Sequence, residues 1–320
     1  MLRSNRAIQV VLIILAGLGA TASTAQDYPT RPVRIVTSPP GGGNDFVARM
    51  IAQEISAPLG QQVIVDNRPG GVIPGEIVSK APPNGYTLLA AGGTFTIGPL
   101  FQKTPYDVLK DFITVVVVGM APNIVVVHPQ VPVKSVKELI ALAKAKPGQL
   151  NYSSAPVGAQ THLAGELFKS MAGVNIVRVV FKGNGPAVAS AISGEVQVMF
   201  PNPPTAMTHI KSGRLRALAV TSTQPSALVP GVPTVAASGV PGYEVISMDF
   251  IFAPADTPAP IINRLNQEMV RALNRPEVKQ KFFDTGVEVV GSSLQESVRR
   301  MTEDVAKWEK LIKRGSMDTN

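Results

Sequence analysis

The segment of this sequence best suited to hold an anion is Pro39-Pro40-Gly41-Gly42-Gly43-Asn44-Asp45-Phe46. It lies between a predicted strand over residues 33–37 and a predicted helix over residues 45–55. The first turn of a helix has four backbone N–H groups without helical partners and carries a partial positive charge. Because glycines let the backbone approach an anion closely, the segment predicts an anion cradle. A simple helix cap is the alternative.

A dinucleotide site is a further interpretation of the same glycines. Gly41 and Gly43 begin a G-x-G-x-x-G pattern, and Asp66 ends the next predicted strand. Phe46, however, occupies the third glycine position, where helix and strand must pack closely. Export of the chain, inferred below, also removes the usual supply of such a cofactor. We therefore expect no cofactor.

Two later segments have the same character as the glycine loop. Residues 153–162 join a strand to a helix with small and hydroxyl side chains, and residues 181–186 do so again. Ligands of open α/β sheets bind at the carboxyl ends of the strands. The three loops therefore predict one cleft between two domains.

Metal and catalytic sites have little support in the sequence. His128, His162 and His209 lie far apart, and only Glu166 shares a helix face with one of them, at a spacing of four. A metal site needs three or four ligands, and no G-x-S-x-G elbow is present. We expect neither metal nor catalysis, although folding alone could bring zinc ligands or paired carboxylates together.

The N-terminus has the order of a secretory signal peptide. Arg3 and Arg6 precede an uncharged apolar run over residues 8–20, and small residues follow. The run is too short to span a bilayer, which needs about 20 residues. We expect cleavage after Ala25, or alternatively after Ala22, and a periplasmic mature protein. The absence of cysteine fits an oxidising compartment.

Composition and length limit the possible partners and the number of domains. The formal charge is +8, two units of which come from the leader, and its Lys and Arg residues are scattered. Aromatic residues make up only 5% of the chain, so platforms for base stacking are scarce. We therefore expect no nucleic-acid partner. A length of 320 residues indicates about two domains.

The elements that must position the three loops alternate between strand and helix. Apolar strand runs separated by helices are typical of sheets covered on both faces. Ser135 and Glu138 form a capping box that begins one helix. Two helices close the chain, and helical spacing predicts a buried stripe on each, formed by Ile261, Leu265, Met269 and Leu273 and by Val298, Met301, Val305, Trp308 and Leu311.

Short motifs in a fixed order run through the whole mature chain. They are Tyr28-Pro29-x-Arg31-Pro32-Val33-Arg34-Ile35-Val36, Pro40-Gly41-Gly42-Gly43-x-Asp45-x-x-Ala48-Arg49, Val65-Asp66-Asn67-Arg68-Pro69-Gly70-Gly71, Asn84-Gly85-Tyr86-Thr87-Leu88-Leu89, Thr161-His162-Leu163-Ala164-Gly165-Glu166-Leu167-Phe168, Lys182-Gly183, Gly213-Arg214-Leu215-Arg216-Ala217-Leu218-Ala219-Val220-Thr221, Pro233-Thr234, Ala253-Pro254-x-x-Thr257-Pro258 and Lys307-Trp308. In this order the chain resembles the solute receptors of tripartite tricarboxylate transporters, also called Bug receptors.

The resemblance implies a fold and a site. The fold is a two-domain α/β periplasmic binding protein of the Venus-flytrap type, type II-like, with two interdomain crossovers. We expect a signal peptide over residues 1–25, domain 1 over 26–121 plus 252–320, and domain 2 over 122–251, with crossings near 122–124 and 247–250. The expected ligand-binding residues are Pro40, Gly41, Gly42, Gly43, Asn44, Asp45, Thr94, Ser153, Ser154, Gly158, Thr161, His162, Lys182, Gly183 and Asn202. Asp45 is expected to cap the helix or brace the loop.

The chain departs from the family pattern at four places. Asn44 replaces a small hydroxyl residue, and Pro156 lies in a loop that is usually richer in glycine. Met248-Asp249-Phe250 replaces a Trp-aromatic-Gly sequence, and Pro201 replaces an aspartate next to Asn202. These departures bear on the identity of the ligand more than on the fold.

The resemblance implies a non-enzymatic solute receptor. We expect it to bind a small carboxylate through backbone groups and bridging waters, and to deliver it to a two-component membrane permease, although many such receptors have no adjacent permease. We expect a monomer. A periplasmic enzyme on the same scaffold and a ligand-presenting partner of a membrane sensor kinase are the alternatives.

Overall fold

The computed structural model describes residues 28–313 of the chain, so the expected signal peptide and its cleavage site lie outside the described residues. The strands are β1 (Val33–Thr37), β2 (Val63–Asn67), β3 (Thr87–Gly92), β4 (Phe112–Pro122), β5 (Ile124–Val127), β6 (Asn151–Ser154), β7 (Val177–Val180), β8 (Val198–Met199), β9 (Arg216–Val220), β10 (Ile246–Pro254) and β11 (Glu288–Val289). The α-helices are α1 (Gly43–Leu59), α2 (Ile73–Ser79), α3 (Gly93–Ile97), α4 (Val136–Ala145), α5 (Gln160–Ala172), α6 (Asn184–Ser193), α7 (Pro203–Lys211), α8 (Ala259–Leu273), α9 (Pro276–Asp284) and α10 (Leu294–Lys313). No helix within residues 28–313 is long and apolar enough to cross a bilayer.

The strands form two sheets. The first has the order β11-β4-β10-β3-β1-β2, and the second has the order β7-β6-β8-β5-β9. In the first sheet β1, β2 and β3 are parallel, while β10 runs antiparallel to both β3 and β4. In the second sheet β6, β7 and β8 are parallel, while β5 runs antiparallel to its neighbours. The α/β fold with two sheets and two crossovers, predicted from the resemblance, is confirmed.

The chain crosses between the sheets at two neighbouring places. The first crossing is at Asn123, between β4 and β5, within the predicted 122–124. The second comes just before β10 begins at Ile246, earlier than the predicted 247–250, because those residues already pair in the first sheet. The two crossings are tied together by Thr221, whose hydroxyl donates to the carbonyl of Val245 at 2.6 Å and accepts from the N–H of Asn123 at 2.7 Å. Thr221 and Asn123 are buried, so these bonds satisfy polar groups that water does not reach.

Apolar strands explain why the first sheet is covered on both faces. The side chains of β3 and nearly all of β4 are buried, as expected for a sheet between helix layers. One face packs against α1 and α8, where Leu265, Met269 and Leu273 of the predicted stripe are fully buried. Ile261 of that stripe is only partly buried.

The last helix packs on both sheets. Met301 and Val305 belong to the core of the first sheet, whereas Trp308, only 1% exposed, belongs to the core of the second. The prediction that Val298 faces the core is wrong, because it is 37% exposed. At that turn Ser297 points inward instead, and its hydroxyl accepts a hydrogen bond from the N–H of Val117.

Local signals locate the helix starts correctly to within a few residues. The Ser135 hydroxyl accepts from the N–H of Glu138 at 3.2 Å, as predicted, whereas the Glu138 carboxylate accepts from the N–H of Lys134 at 2.7 Å instead of that of Ser135. Helix α1 is longer than the predicted 45–55 at both ends, since glycine begins it and Pro58 is accommodated in its last turn. Boundaries of this kind are set by packing as well as by sequence signals.

Replacing Trp308 by alanine is expected to destabilise the protein by about 3–5 kcal/mol, because a large buried side chain leaves a cavity. The Asp304 carboxylate would also lose its hydrogen bond from the indole N–H. Urea unfolding followed by circular dichroism measures the change, since Trp308 is the only tryptophan and its fluorescence is lost. The exposed control Val298→Ala should change stability by no more than about 0.5 kcal/mol. Equal effects of the two changes would contradict the packing of Trp308.

Candidate functional site

The glycine loop ends in an uncapped helix N-terminus. Gly42 is the N-cap residue of α1, has an extended backbone, and no side chain caps the helix. No hydrogen bond among the described residues uses the N–H groups of Gly42, Gly43 or Asn44. Pro40 and the three glycines are exposed, and Asn44 is half-buried. Free donors at an exposed helix start are what an anion requires.

Asp45 holds the loop in this shape from inside. Its carboxylate accepts hydrogen bonds from the N–H of Gly41 at 2.9 Å, from Arg49 Nε at 3.0 Å and from Asn67 Nδ2 at 2.8 Å. Burial raises the pKa of this carboxyl, but the bonds from Arg49, Asn67 and Gly41 outweigh burial and lower the pKa to about 2. Gly41 has a φ of +84°, which glycine adopts at little cost. The Asp45 carboxylate therefore braces the loop.

A cavity of about 230 Å³ adjoins this loop. Asn44 lies on its wall with Ser38, and Thr94 of α3 lies on the same wall with Phe95 and Gln102. The cavity thus brings together two of the residues predicted for the site, Asn44 and Thr94. The lining also includes residues at the end of β3. Because β1 and β3 are parallel, they end at the same edge of the sheet, and the residues that follow them lie together there.

The hydroxyl-rich loop after β6 uses its side chains internally. The Ser153 hydroxyl donates to the carbonyl of Ala187 at 2.9 Å, and the Thr161 hydroxyl accepts from the N–H of Ala155 at 3.0 Å. His162 Nδ1 accepts from the N–H of Gly158, which has a φ of +82°. The side chains of Ser153, Thr161 and His162 are buried. They fix the backbone of the loop.

Arg178 holds the loop after β6, a role that the sequence did not predict. It lies on β7, and its guanidinium donates to the Ser154 hydroxyl at 2.8 Å and to the carbonyl of Ala155 at 3.2 Å. Ser154 is fully buried and donates in turn to the carbonyl of Ala155. No local motif marks this arginine, because its partners are about two dozen positions away in sequence.

Loops of the two sheets meet at Gly93, directly after β3. A β-carbon on Gly93 would lie 2.8 Å from Gln160 Nε2, so the start of α5 reaches the start of α3. The rings of Phe101 and His162 are 6.2 Å apart, and a β-carbon on Gly158 would lie 3.6 Å from Phe101. The start of α5 therefore lies beside the first sheet's loops.

The remaining predicted residues lie at the starts of two other helices. Lys182 is exposed, and Gly183 is the N-cap residue of α6. Asn202 is the N-cap residue of α7, and its Oδ1 accepts from the Thr205 hydroxyl at 2.6 Å. No hydrogen bond among the described residues joins these side chains to the glycine loop. They follow β7 and β8, which end at the same sheet edge as β6.

Asp249 is the second residue that sequence reasoning did not assign to the site. It lies on β10 directly opposite Gly92, and a β-carbon on Gly92 would lie 3.2 Å from both Asp249 Oδ1 and Asn44 Oδ1. Burial raises the pKa of Asp249 to about 6. Its only sequence signal is that it stands in the altered Met248-Asp249-Phe250 segment.

Residues 28–313 contain no group of three or more His, Cys, Asp or Glu side chains arranged to hold a metal ion. His162, the histidine of the predicted site, is instead committed to the loop through Gly158.

Comparison with known proteins gives a consistent result. A family model described as tripartite tricarboxylate transporter family receptor matches residues 47–317. Rpa4515 of R. palustris, solved with adipate, is 36% identical, covers 90% of this chain and 98% of its own, and gives a TM-score of 0.75. The periplasmic binding protein BugD is 29% identical over 91% of this chain and 99% of its own, with a TM-score of 0.72. MatC of Rhodopseudomonas palustris, solved with bound malate, is 28% identical over 89% of this chain and 100% of its own, also at 0.72.

Replacing Asp249 by asparagine is expected to stabilise the ligand-free protein above about pH 6. A carboxyl whose folded pKa is raised from 3.8 to about 6 loses stability as pH rises through that window, because the unfolded chain ionises first. The asparagine variant avoids this loss, on the order of 1–3 kcal/mol, and its advantage should shrink as pH falls toward 3.8. Thermal unfolding across this pH range measures it. A less stable variant at neutral pH would mean that Asp249 has a stabilising partner.

Proposed function

The chain belongs to the tripartite tricarboxylate transporter receptor family, and we propose on that premise that it binds one small carboxylate at the start of α1. It is a solute receptor of the periplasmic binding protein class and not an enzyme. The observation that carries the proposal is the exposed, uncapped start of α1, whose N–H groups at Gly42, Gly43 and Asn44 have no hydrogen-bond partner among the described residues. Such donors favour an anion.

The ligands of the relatives support the choice of a carboxylate. Rpa4515 was solved with adipate and MatC with malate, and both molecules are small carboxylic acids. In this chain a carboxylate would accept from the backbone of residues 42–44. The start of α5 would face it from the other half, with Ser153, Ser154, Thr161 and His162 holding the loop, and Lys182, Gly183 and Asn202 as outer contacts.

We further propose that binding closes two domains about the crossings. Domain 1 would comprise residues 26–121 and 252–320, and domain 2 residues 122–251, with the second boundary inside β10, which pairs with the first sheet. The proposed boundary gives domain 1 a helix, α10, whose end contributes Trp308 to the core of the second sheet. The adjacency of the two crossings, tied through Thr221, supports a hinge there.

The cellular role follows the family. We propose that the chain is exported through the leader cut after Ala25, works as a monomer in the periplasm, and passes its ligand to a two-component membrane permease. The solved relative BugD is a periplasmic binding protein.

We expect reversible binding of one small carboxylate per chain, without turnover. Isothermal titration with adipate, malate and related acids, followed by mass spectrometry of the recovered ligand, measures both properties. A ligand at 100 times its dissociation constant should add about 2.7 kcal/mol to the free energy of unfolding. Conversion of ligand by substoichiometric protein would contradict the receptor role.

Replacing Gly42 by valine is expected to abolish ligand binding while the protein still folds. Gly42 has a φ of −87°, and a β-carbon there would meet only the carbonyl oxygen of Pro39 at 3.8 Å. The side chain would therefore fit the protein but obstruct an anion at the helix start. Isothermal titration compares it with Ala141→Val, a matched control on the exposed face of α4. Unchanged affinity in Gly42→Val would move the carboxylate site away from this loop.

A further inference from the structure

We propose that Asp249 forms an ammonium subsite beside the carboxylate cradle, so that the preferred ligand carries an amino group close to its carboxylate. The inference deepens the proposed function and rests on it, since it assigns a second chemical group to the same ligand. It makes Asp249 the residue that sets specificity.

The geometry puts the Asp249 carboxyl at the edge of the cleft. Side chains on a strand alternate between faces, and Met248 and Phe250 both lie in the core on the α10 side of the sheet. Asp249 therefore points to the opposite face, above Gly92, where α1 begins. The lack of a side chain at Gly92 leaves room there, and Asn44 Oδ1 and Asp249 Oδ1 both lie 3.2 Å from the same point.

The carboxyl has no partner within the described chain. Asp249 takes part in none of the ion pairs found in residues 28–313, and its side chain makes none of their hydrogen bonds. The acidic residue of the glycine loop, Asp45, by contrast accepts three hydrogen bonds. The side chain is half-buried, and a partly desolvated carboxylate without a cation or a donor is destabilising unless something that binds there supplies one.

The polar atom that shares the space with the carboxyl is an acceptor as well. It is Asn44 Oδ1, while the Gln160 amide lies beside the next glycine, Gly93, with its Nε2 nearest and its buried Oε1 without a hydrogen-bond partner. A ligand group with several N–H donors and a positive charge matches the two carbonyl-type oxygens, because an ammonium has three donors and no acceptor. A second carboxylate would meet the Asn44 oxygen and a like charge.

The spacing fixes where the amino group must lie. The donors of the cradle are the N–H groups of Gly42, Gly43 and Asn44, and one acceptor of the subsite is the side chain of that same Asn44. Consecutive Cα atoms are only about 3.8 Å apart, so both groups of the ligand must fit within a few bonds of each other. An amino group on the carbon next to the carboxylate meets this requirement.

Two series of ligands that differ at one position test the proposal. Succinate, malate and aspartate carry hydrogen, hydroxyl and ammonium at the same carbon, and adipate, 2-hydroxyadipate and 2-aminoadipate do likewise. By isothermal titration at neutral pH, the wild-type protein should bind the amino member of at least one series at least tenfold more tightly than its unsubstituted parent. Asp249→Asn should lose at least tenfold for the amino member and keep or gain affinity for the parent.

The control is Asp256→Asn, which removes the same charge from an exposed turn after β10 and should leave every affinity unchanged. Binding of parent acids as tightly as amino acids in the wild type would overturn the ammonium subsite, as would an equal loss for all members in Asp249→Asn. In those two cases the carboxylate receptor itself would stand. Failure of all six compounds to bind wild-type protein would instead overturn the carboxylate cradle, and the ammonium subsite with it.

Discussion

The two crossings between the sheets are the constraint on which the rest of this structure depends. The chain leaves the first sheet through β4 and returns through β10, and these strands are paired side by side over their whole lengths. Both connections must therefore lie at one place, where Thr221 joins Asn123 to Val245 inside the protein. Because the connections are adjacent, loops of the two sheets lie close together beside them, where Gln160 at the start of α5 approaches Gly93.

In the two loops proposed to bind the ligand, charged and hydroxyl side chains point inward and backbone donors stay exposed. Asp45 is drawn inward by Arg49, Asn67 and the Gly41 N–H, which leaves the exposed backbone of the helix start free of side-chain charge. In the facing loop the hydroxyls of Ser153 and Ser154 are likewise turned inward. A surface built from fixed backbone groups costs little ordering when a ligand arrives, because its shape is already set.

Asp249 differs from these groups, because its carboxyl has no ion pair or hydrogen bond within the described residues. Its half-buried carboxyl costs folding stability at neutral pH, as its raised pKa indicates, and nothing in the described chain compensates for it. A titratable group with a perturbed pKa beside a proposed binding loop is a candidate for a functional site. The stability lost at such a position is regained only when a ligand of suitable charge binds. An isostere without that charge leaves the carboxylate unpaired, so the site can favour one ligand over the other.

The sequence by itself determined the class of fold, the glycine loop at the start of α1 and most of the helix starts. These are local properties: glycines before a helix, a hydroxyl that caps it and an apolar period all act within a few residues. It could not determine that Ser297 rather than Val298 faces the core, or that Arg178 binds Ser154, because such contacts depend on which elements are packed together. The position of Asp249 above Gly92 was decided in the same way, since the two residues are joined only by the register of β10 on β3. Pairing across more than 150 positions leaves no periodic trace in a single sequence, and only the tertiary structure brings the carboxyl, the amide of Asn44 and the helix start into one site.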